Sequence, residues 1–235
     1  MEQQGRTEAE ELRRLGVHVN LAPCVDVLEP DGDPIIGDRS YGTDPRRVSQ
    51  FATARIRGLQ AAGVAACAKH FPGLGAVPRD PHKTLPTIHL DWPSMEQRHL
   101  PPFTESIAAG VAMVMSSHVC YPGLGEPPDR PATFSPTLIR DHLRKRLQFA
   151  GLILTDDLEM GALAAFGDMG ELAIRATEAG HDLLLICSDL AKANQAFQAL
   201  RNSFKTGRLS TAELEESAAR FSSLREKYMG TPLSL

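Results

Sequence analysis

The chain has 235 residues, of which 42% are hydrophobic, and its 25 Lys and Arg residues nearly balance its 29 Asp and Glu residues. This composition fits one domain with a sizeable core, and it offers no basic surface for nucleic acid or for an anionic membrane. The first thirty residues lack an apolar leader, and no run of about eighteen apolar residues occurs, so we expect a cytoplasmic protein without membrane partners.

Five short apolar runs are predicted to form buried strands. They cover residues 17–27, 64–71, 113–119, 152–156 and 182–188. Stretches with helical spacing lie between them, at 45–63, 94–110 and 135–151, and Asp44-Pro45 and Ser135-Pro136 are typical helix starts. This alternation predicts a parallel sheet covered by helices, either open and doubly wound or closed as a (β/α) barrel, in a single domain over 1–235.

Polar residues end each of the five predicted strands. They are Asp26, Lys69-His70, Ser117-His118, Asp156-Asp157 and Ser188-Asp189. An open sheet concentrates such residues at one switch point, whereas a barrel carries them all around its C-terminal face. No G-x-G-x-x-G fingerprint of a dinucleotide site occurs, so we predict a (β/α)8-type barrel of which about five βα units are present.

Asp156 and Asp157 follow the apolar run "GLILT" directly. A carboxylate at this edge can act as a nucleophile, a base or a metal ligand, and a capping aspartate looks the same in sequence. We assign chemistry to Asp156 and predict that Asp157 caps a helix that begins near Leu158.

Asp80 and His82 form a D-x-H element in a loop rich in glycine and proline. A carboxylate two residues from a histidine can hold one ring nitrogen and raise the basicity of the other, which makes a proton-transfer dyad. A solvated turn histidine is the alternative. The nearby Lys69 and His70 favour the dyad.

Lys69 and His70 are predicted to face a substrate, because a lysine at the end of a barrel strand is costly to bury without a partner. A structural ion pair is the alternative. Asp26 and His118 occupy similar strand ends and are also expected to contact substrate.

Arg39 lies in the loop "PIIGDRSYGT" among turn-forming residues. Its planar fork of donors suits sugar hydroxyls or a carboxylate, and a salt bridge with Asp38 or Asp44 is the competing interpretation.

Four further histidines and all four cysteines are expected to be structural. No C-x-x-C pair occurs, so the cysteines are interpreted as buried free thiols, with a disulfide framework as the alternative, and no metal site is assigned to them. These residues are His89, His99, His142, His181, Cys24, Cys67, Cys120 and Cys187.

Six motifs together resemble the β-N-acetylhexosaminidase (β-N-acetylglucosaminidase) branch of glycoside hydrolase family 3. They match the family in order and spacing, over about residues 15–225, and the K-H-F-P-G-x-G-x4-D-x-H element marks this branch. The motifs are "NLAPCVDV", "PIIGDRSYGTDP", "CAKHFPGLGAVPRDPH", "MVMSSHVCYPGL", "PATFSPTLI" and "GLILTDDLEMGAL".

The resemblance implies a (β/α)8 barrel that removes terminal N-acetylglucosamine with retention of configuration, typically from cell-wall muropeptide fragments, without a cofactor. It implies that Asp156 is the nucleophile and that Asp80 and His82 are the general acid/base on a mobile loop. It also places Arg39, Lys69 and His70 on the sugar hydroxyls.

Two departures from the family concern the dyad loop. Leu74 stands where a histidine is common, and Pro81 stands where a serine is common. Pro81 restricts Asp80 to extended geometry and removes one backbone donor, which we expect to stiffen the dyad.

The family carries about a hundred residues before the point that matches Leu15, including a D-x-E-G-G element that contacts the sugar and does not occur here. We therefore expect an N-terminally truncated domain with exposed edge strands that a further segment or a second copy of the chain covers. A catalytically silent sugar-binding or assembly-dependent relative is the alternative function. A metal-dependent hydrolase with His70, His82 and Asp156 as ligands is a third hypothesis, and phosphorolysis by the same dyad is a variant of the first.

Overall fold

Five parallel strands form one sheet in which every strand pairs with the next one along the chain. The structure, a computed structural model, describes residues 1–29, 36–77 and 85–230. A doubly wound sheet reverses its strand order at a switch point, whereas this sequential order is that of a barrel wall, as predicted. The strands are β1 (Val19–Asn20), β2 (Ala65–Phe71), β3 (Met113–Ser116), β4 (Leu152–Asp157) and β5 (Leu183–Leu185).

Helices alternate with the strands. The α-helices are α1 (Glu2–Arg14), α2 (Pro45–Ala61), α3 (Trp92–Ser94), α4 (Pro101–Ala108), α5 (Met169–Ala179), α6 (Leu190–Thr206) and α7 (Thr211–Met229). Of these, α2 and α4 pack against one face of the sheet, and α7 packs against the other. Two π-helices, Met95–His99 and Thr137–Arg146, and four 3-10 helices, Gly37–Arg39, Pro122–Leu124, Ala132–Phe134 and Gly161–Phe166, complete the described helices.

The helix predicted over 94–110 is helical but divided into α3, a π-helix and α4. Pro101 and Pro102 have no backbone N–H to donate, so the helical hydrogen-bond ladder has to restart there. The stretch predicted over 135–151 is helical as expected, with π geometry that its spacing did not reveal.

Alternate residues of the strands face two different cores, as the two-residue period of a strand requires. Residues on the outer side pack beneath the helices: Ala66, Ala68, Val114 and Ile153. Residues on the inner side form a second cluster with Leu224 and Tyr228 of α7: Ala65, Cys67, Met113, Met115, Leu152 and Leu154. The sheet is therefore apolar on both faces, and chemistry is confined to its edges.

The prediction that Asp157 caps a helix is wrong. A turn follows it, and its Oδ1 accepts the backbone N–H of Glu159 at 3.0 Å. The next α-helix, α5, begins at Met169, where Asp168 is the capping residue. A 3-10 helix begins at Gly161 between these two points, and it ends at Gly167, whose φ of 134° is outside the helical region.

All four cysteines are free, as predicted. The predicted burial is confirmed for Cys24, Cys67 and Cys120 and is wrong for Cys187, which is exposed. Among the helices of the described residues, none combines the length and apolar character that a bilayer crossing requires.

Candidate active site

Asp156 lies at the C-terminal end of β4 with 25% of its side chain exposed. Its Oδ1 accepts the backbone N–H of Asp157 at 2.9 Å. Its Oδ2 lies 3.7 Å from Nε2 of His70, which belongs to β2. Since β2 and β4 flank β3 in the sheet, an imidazole and a carboxylate from different strands meet above it.

Asp26 lies beneath His70, and none of its surface is exposed. Its carboxylate accepts four donors: the backbone N–H of His70 at 3.1 Å, Nδ1 of His70 at 2.8 Å, the backbone N–H of Leu74 at 2.6 Å and Sγ of Cys24 at 3.1 Å. Burial alone raises the pKa of this carboxyl, but the charge and hydrogen bond of His70 and the Leu74 N–H outweigh it and lower the pKa. Asp26 is therefore an ionised carboxylate that supports His70 from within.

A bulge in β2 gives His70 this position. Lys69 pairs with Met115 and Phe71 with the next residue, Ser116, so that His70 is the extra residue of the strand. The peptide bonds Lys69–His70 and Phe71–Pro72 are both cis. After them the chain passes close to Val27, where a Cβ on Gly75 would lie 1.8 Å from the Val27 carbonyl oxygen. Only glycine fits there.

His118 is buried with both ring nitrogens in protein contacts. Its Nε2 lies 2.9 Å from the carbonyl oxygen of Asp157, and its Nδ1 lies 2.6 Å from the Thr133 hydroxyl. A carbonyl only accepts, so Nε2 carries a proton, and burial lowers the pKa of the ring. The sequence suggested contact with substrate, whereas in this structure His118 supports the backbone that follows Asp156.

Two cations border the same corner of the sheet. Lys69 is half-buried. Burial raises the pKa of the nearby Cys67 thiol to about 12; the positive charge of Lys69 opposes this rise, and the negative charge of Asp156 adds to it. Arg39 lies in the 3-10 helix Gly37–Arg39 with an exposed side chain, and its charge opposes the raised pKa of the buried Cys24. Both cations thus lie within electrostatic reach of the Asp26–Asp156 corner.

Glu159 connects the β4 turn to the loop after β5, a role that the sequence did not suggest. Its Oε2 accepts the N–H of Ser188 at 2.6 Å and the Ser188 hydroxyl at 2.9 Å, and its Oε1 contacts Lys192 at 3.2 Å. The Ser188 N–H is the largest cause that holds the pKa of Glu159 down, at about 2. The sequence offered only one signal for this role: Glu159 follows the Asp156-Asp157 strand end by two residues, and Ser188-Asp189 ends the next predicted strand.

Asp80 and His82 lie outside the described residues. The described segments on either side are both anchored at this edge of the sheet. On one side the Leu74 N–H donates to Asp26. On the other side the Ile88 N–H donates to the Cys120 carbonyl at 2.9 Å, and the Cys120 N–H donates to the Pro86 carbonyl at 3.0 Å.

Cys24, Asp26 and His70 place one potential metal-ligand atom each within 4.8 Å of one another. Hydrogen bonds already account for this cluster, because Asp26 accepts from both of the other side chains. The pKa of the Cys24 thiol is raised by burial and by the charge of Asp26, which opposes the thiolate that a metal needs. The donor set therefore fits a hydrogen-bonded support better than a metal centre.

Comparison with known proteins identifies the family. Residues 1–224 match the model of the glycosyl hydrolase family 3 N terminal domain. The chain therefore belongs to glycosyl hydrolase family 3. Since the match covers nearly the whole chain, the family motifs of the sequence and the geometry described above concern the same residues.

Among family 3 relatives, a beta-hexosaminidase of Hydrogenovibrio crunogenus is 36% identical over 213 residues, and one of Nitrosomonas eutropha is 36% identical over 211. These matches cover 91% and 90% of this chain but 58% and 59% of the relatives. A solved family 3 β-N-acetylglucosaminidase from Paenibacillus sp. str. FPU-7 is 38% identical with a TM-score of 0.94, over 100% of this chain and 45% of that one. The chain thus spans about half the length of the proteins it matches.

Proposed function

We propose that the protein is a retaining exo-β-N-acetylglucosaminidase, with Asp156 as its nucleophile. The position of Asp156 is the observation that carries this proposal. Its carboxylate is partly exposed at the C-terminal end of a central strand, beside His70, and its charge and that of Lys69 both act on Cys67. Family membership supports the same activity, since relatives and neighbours bear the names beta-hexosaminidase and beta-N-acetylglucosaminidase.

The proposed reaction has two steps. An oxygen of Asp156 bonds to the anomeric carbon while the glycosidic C–O bond breaks, and its electron pair stays on the leaving oxygen, which receives a proton from His82. Water then gives one of its own protons to His82 and attacks the anomeric carbon, which breaks the bond to Asp156 and releases it as a carboxylate. Two inversions at one carbon give retention.

The family resemblance supports Asp80 and His82 as the acid/base pair. An imidazole titrating near neutrality can both donate and accept the proton, and an adjacent carboxylate stabilises its cationic form. Arg39, Lys69 and His70 are proposed to bind sugar hydroxyls, since two of them offer several charged donors at the edge that carries Asp156.

We further propose that the substrates are muropeptide fragments of the cell wall and that the protein acts in the cytoplasm. The family resemblance supports both points, and the slightly acidic net charge is compatible with a small sugar-peptide substrate.

The test is hydrolysis of 4-nitrophenyl N-acetyl-β-D-glucosaminide by the wild-type chain and by Asp156→Ala. We expect release of nitrophenol by the wild type and a loss of at least about 10⁴-fold in the variant, because no second nucleophile replaces the carboxylate. Asp168→Asn is the matched control, since asparagine caps a helix as well as aspartate does and Asp168 lies at the start of α5.

Equal rates for the wild type and Asp156→Ala would contradict the proposal. A rate that depends on inorganic phosphate, with a glycosyl phosphate as product, would replace hydrolysis by phosphorolysis while leaving Asp156 as the nucleophile.

A second candidate is a sugar-binding chain whose activity depends on assembly. It is favoured by the edge strands β1 and β5, which pair on one side only among the described residues and are half-buried. Unpaired edges of a parallel sheet are prone to association. Light scattering against concentration, in parallel with the hydrolysis assay, separates the two candidates, because an active monomer contradicts the second one.

A further inference from the structure

We propose that Tyr121 is a positioning residue for the proton transfer of the proposed reaction. Its hydroxyl holds the segment 72–77, which joins the end of β2 to the part of the sequence that carries Asp80 and His82. The inference rests on the proposed function, since it takes His82 as the residue that protonates the leaving oxygen. In this role Tyr121 acts through the segment and does not touch the sugar.

The hydroxyl of Tyr121 donates to the carbonyl oxygen of Gly73 at 3.0 Å. Tyr121 follows β3, and none of its surface is exposed. Because a carbonyl only accepts and a hydroxyl has one proton, the Ser117 hydroxyl, 3.0 Å from the Tyr121 oxygen, has to donate to it. Burial raises the pKa of Tyr121, which keeps its proton in place. A chain of donors therefore runs from Ser117 through Tyr121 to Gly73.

Gly73 is confined by the packing around it as well as by this bond. Its φ of 137° favours glycine, and a Cβ at this position would lie 2.8 Å from the Cβ of the buried His99. Its N–H donates to the carbonyl oxygen of His70 at 2.8 Å. A displacement of Gly73 therefore disturbs a hydrogen bond and a close backbone contact at the same time.

The next two residues of the segment are held from the chain that follows β1. The Leu74 N–H donates to the carboxylate of Asp26 at 2.6 Å, and the Glu29 N–H donates to the carbonyl oxygen of Gly75 at 3.1 Å. These bonds fix the segment on the β1 side of β2.

The end of β3 holds the same stretch of chain from the opposite side. The Ser117 N–H donates to the carbonyl oxygen of Phe71 at 2.9 Å, and Tyr121 bonds to Gly73 two residues further on. Loss of the Tyr121 hydroxyl leaves a buried carbonyl oxygen without this donor, which costs about 1–3 kcal/mol unless the segment moves. We expect the segment to shift away from its position beside β3.

Such a shift acts on one half of the proposed chemistry. His82 lies five residues after Val77 in the sequence, whereas Asp156 belongs to β4. A general acid has to lie within hydrogen-bond reach of the leaving oxygen, and a displacement of about 1 Å can lower the rate by up to about 100-fold. Tyr121 is therefore expected to affect protonation of the leaving group and to leave the attack by Asp156 unchanged.

Leaving groups of different strength separate this role from general damage to the site. Dinitrophenolate leaves without a proton, whereas phenolate needs one from the acid. The variant Tyr121→Phe removes only the hydroxyl. We expect its kcat/KM to fall about 10-fold on phenyl N-acetyl-β-D-glucosaminide and less than about 2-fold on the 2,4-dinitrophenyl glycoside, because kcat/KM reports the first step.

Tyr228→Phe is the matched control, because it removes a hydroxyl from another buried tyrosine, which belongs to α7 and to the inner-side cluster. It should match the wild type on both glycosides. An equal fall on both glycosides in Tyr121→Phe overturns the proposal, and so does an unchanged rate on the phenyl glycoside. Should Tyr121→Phe not fold, Ser117→Ala decides by the same pattern at smaller size, because it removes the donor to the Tyr121 oxygen.

Hydrogen–deuterium exchange tests the hold on the segment without any activity, so that its outcome differs from a failure of the proposed function. The N–H groups of Gly73, Leu74 and Val77 all donate to protein acceptors. We expect their exchange to be at least about 5-fold faster in Tyr121→Phe and unchanged in Tyr228→Phe.

Unchanged exchange in Tyr121→Phe contradicts the inference, even if the wild-type chain hydrolyses its substrate as proposed. Faster exchange in a chain without hydrolase activity would keep the hold on the segment but overturn its role in proton transfer, together with the proposed function.

Discussion

Two aspartates with almost no exposed side-chain surface lie at opposite ends of the sheet, and they are compensated in different ways. Asp26, at the C-terminal edge, bonds to an imidazole that in turn faces Asp156. Asp182, directly before β5 at the N-terminal edge, bonds to Arg144 at 2.6 Å, to Arg220 at 2.9 Å and to the backbone N–H of Ile153 at 2.8 Å.

This difference separates a reactive edge from a structural one. Guanidinium groups are charged at every working pH, so the Asp182 cluster is a fixed brace between β4, β5 and α7. The imidazole partner of Asp26 instead lies 3.7 Å from the partly exposed carboxylate of Asp156, at the edge that the proposed reaction uses. Equal burial of the two carboxylates therefore does not imply equal roles.

The largest effect on stability is expected from Asp182→Ala, which tests whether the N-terminal edge of the sheet has a structural role only. It leaves two arginines without their shared partner, with only 22% and 25% of their side chains exposed. We expect the free energy of unfolding to fall by about 3 kcal/mol, measured by denaturant titration. The kcat of the folded fraction should stay within about 2-fold, and a larger loss would break the distinction between the two edges.

A pH effect of somewhat smaller size is expected from His181, the buried imidazole on the structural side. Burial lowers its pKa to about 4, so between pH 4 and its ordinary value of about 6.5 the unfolded state binds more protons than the folded state. The contribution of His181 to the free energy of unfolding is therefore complete above pH 6.5 and is lost on acidification, by roughly 2.5 kcal/mol at pH 4.5.

Denaturant titrations at pH 7 and pH 4.5 measure this effect in the wild type, in His181→Gln and in the exposed-site control His89→Gln. The difference in the free energy of unfolding between pH 7 and pH 4.5 should become smaller only in His181→Gln. The same difference in all three proteins would mean that another group governs the acid sensitivity.

A loss of activity of a few fold, without a matching loss of stability, is expected from Glu159→Gln. The substitution keeps the side chain in the loop but weakens its bonds to Ser188 and Lys192, which tie the β4 turn to the start of α6. The hydrolysis assay and a melting curve measure the two quantities. A large fall in melting temperature with unchanged kcat would place Glu159 with the structural edge instead.

The smallest effect is expected from Arg208→Ala. Arg208 pairs with Glu171 and Glu178, but its side chain is 43% exposed, and solvent screening limits such pairs. The free energy of unfolding should change by less than about 1 kcal/mol, which denaturant titration can bound. A change as large as that of Asp182→Ala would show that exposure is a poor guide to the worth of these ion pairs.

The sequence predicted the parallel sheet, its five strands and the set of strand-end polar residues, because apolar runs and helix signals are local features. The position of Asp26 beneath His70 was not predicted, since it depends on the bulge in β2 and on the close passage of Gly75 past Val27. These are contacts between distant parts of the chain. The role of Asp157 as a turn residue escaped notice because a capping aspartate and a turn aspartate have the same local sequence.

The site residues that the sequence suggested divide in the structure according to burial. Asp156, Lys69 and Arg39 keep exposed or half-buried positions, whereas Asp26 and His118 lie inside with their polar atoms bonded to protein. Location at a strand end does not distinguish these two groups, because the alternation of side chains along a strand and the position of bulges determine which side chains are exposed to solvent. The dyad of Asp80 and His82 stays a prediction from the sequence.

The most direct test of the central claim, that Asp156 attacks the sugar, is covalent trapping followed by peptide mapping. The chain is incubated with a 5-fluoro-N-acetylglucosaminyl fluoride, whose good leaving group allows attack and whose ring fluorine slows release. We predict a sugar adduct on the tryptic peptide 147–175, which fragmentation assigns to Asp156 and not to Asp157, Glu159 or Asp168. An adduct on another residue, or turnover of the reagent with no adduct at any time, would contradict the account.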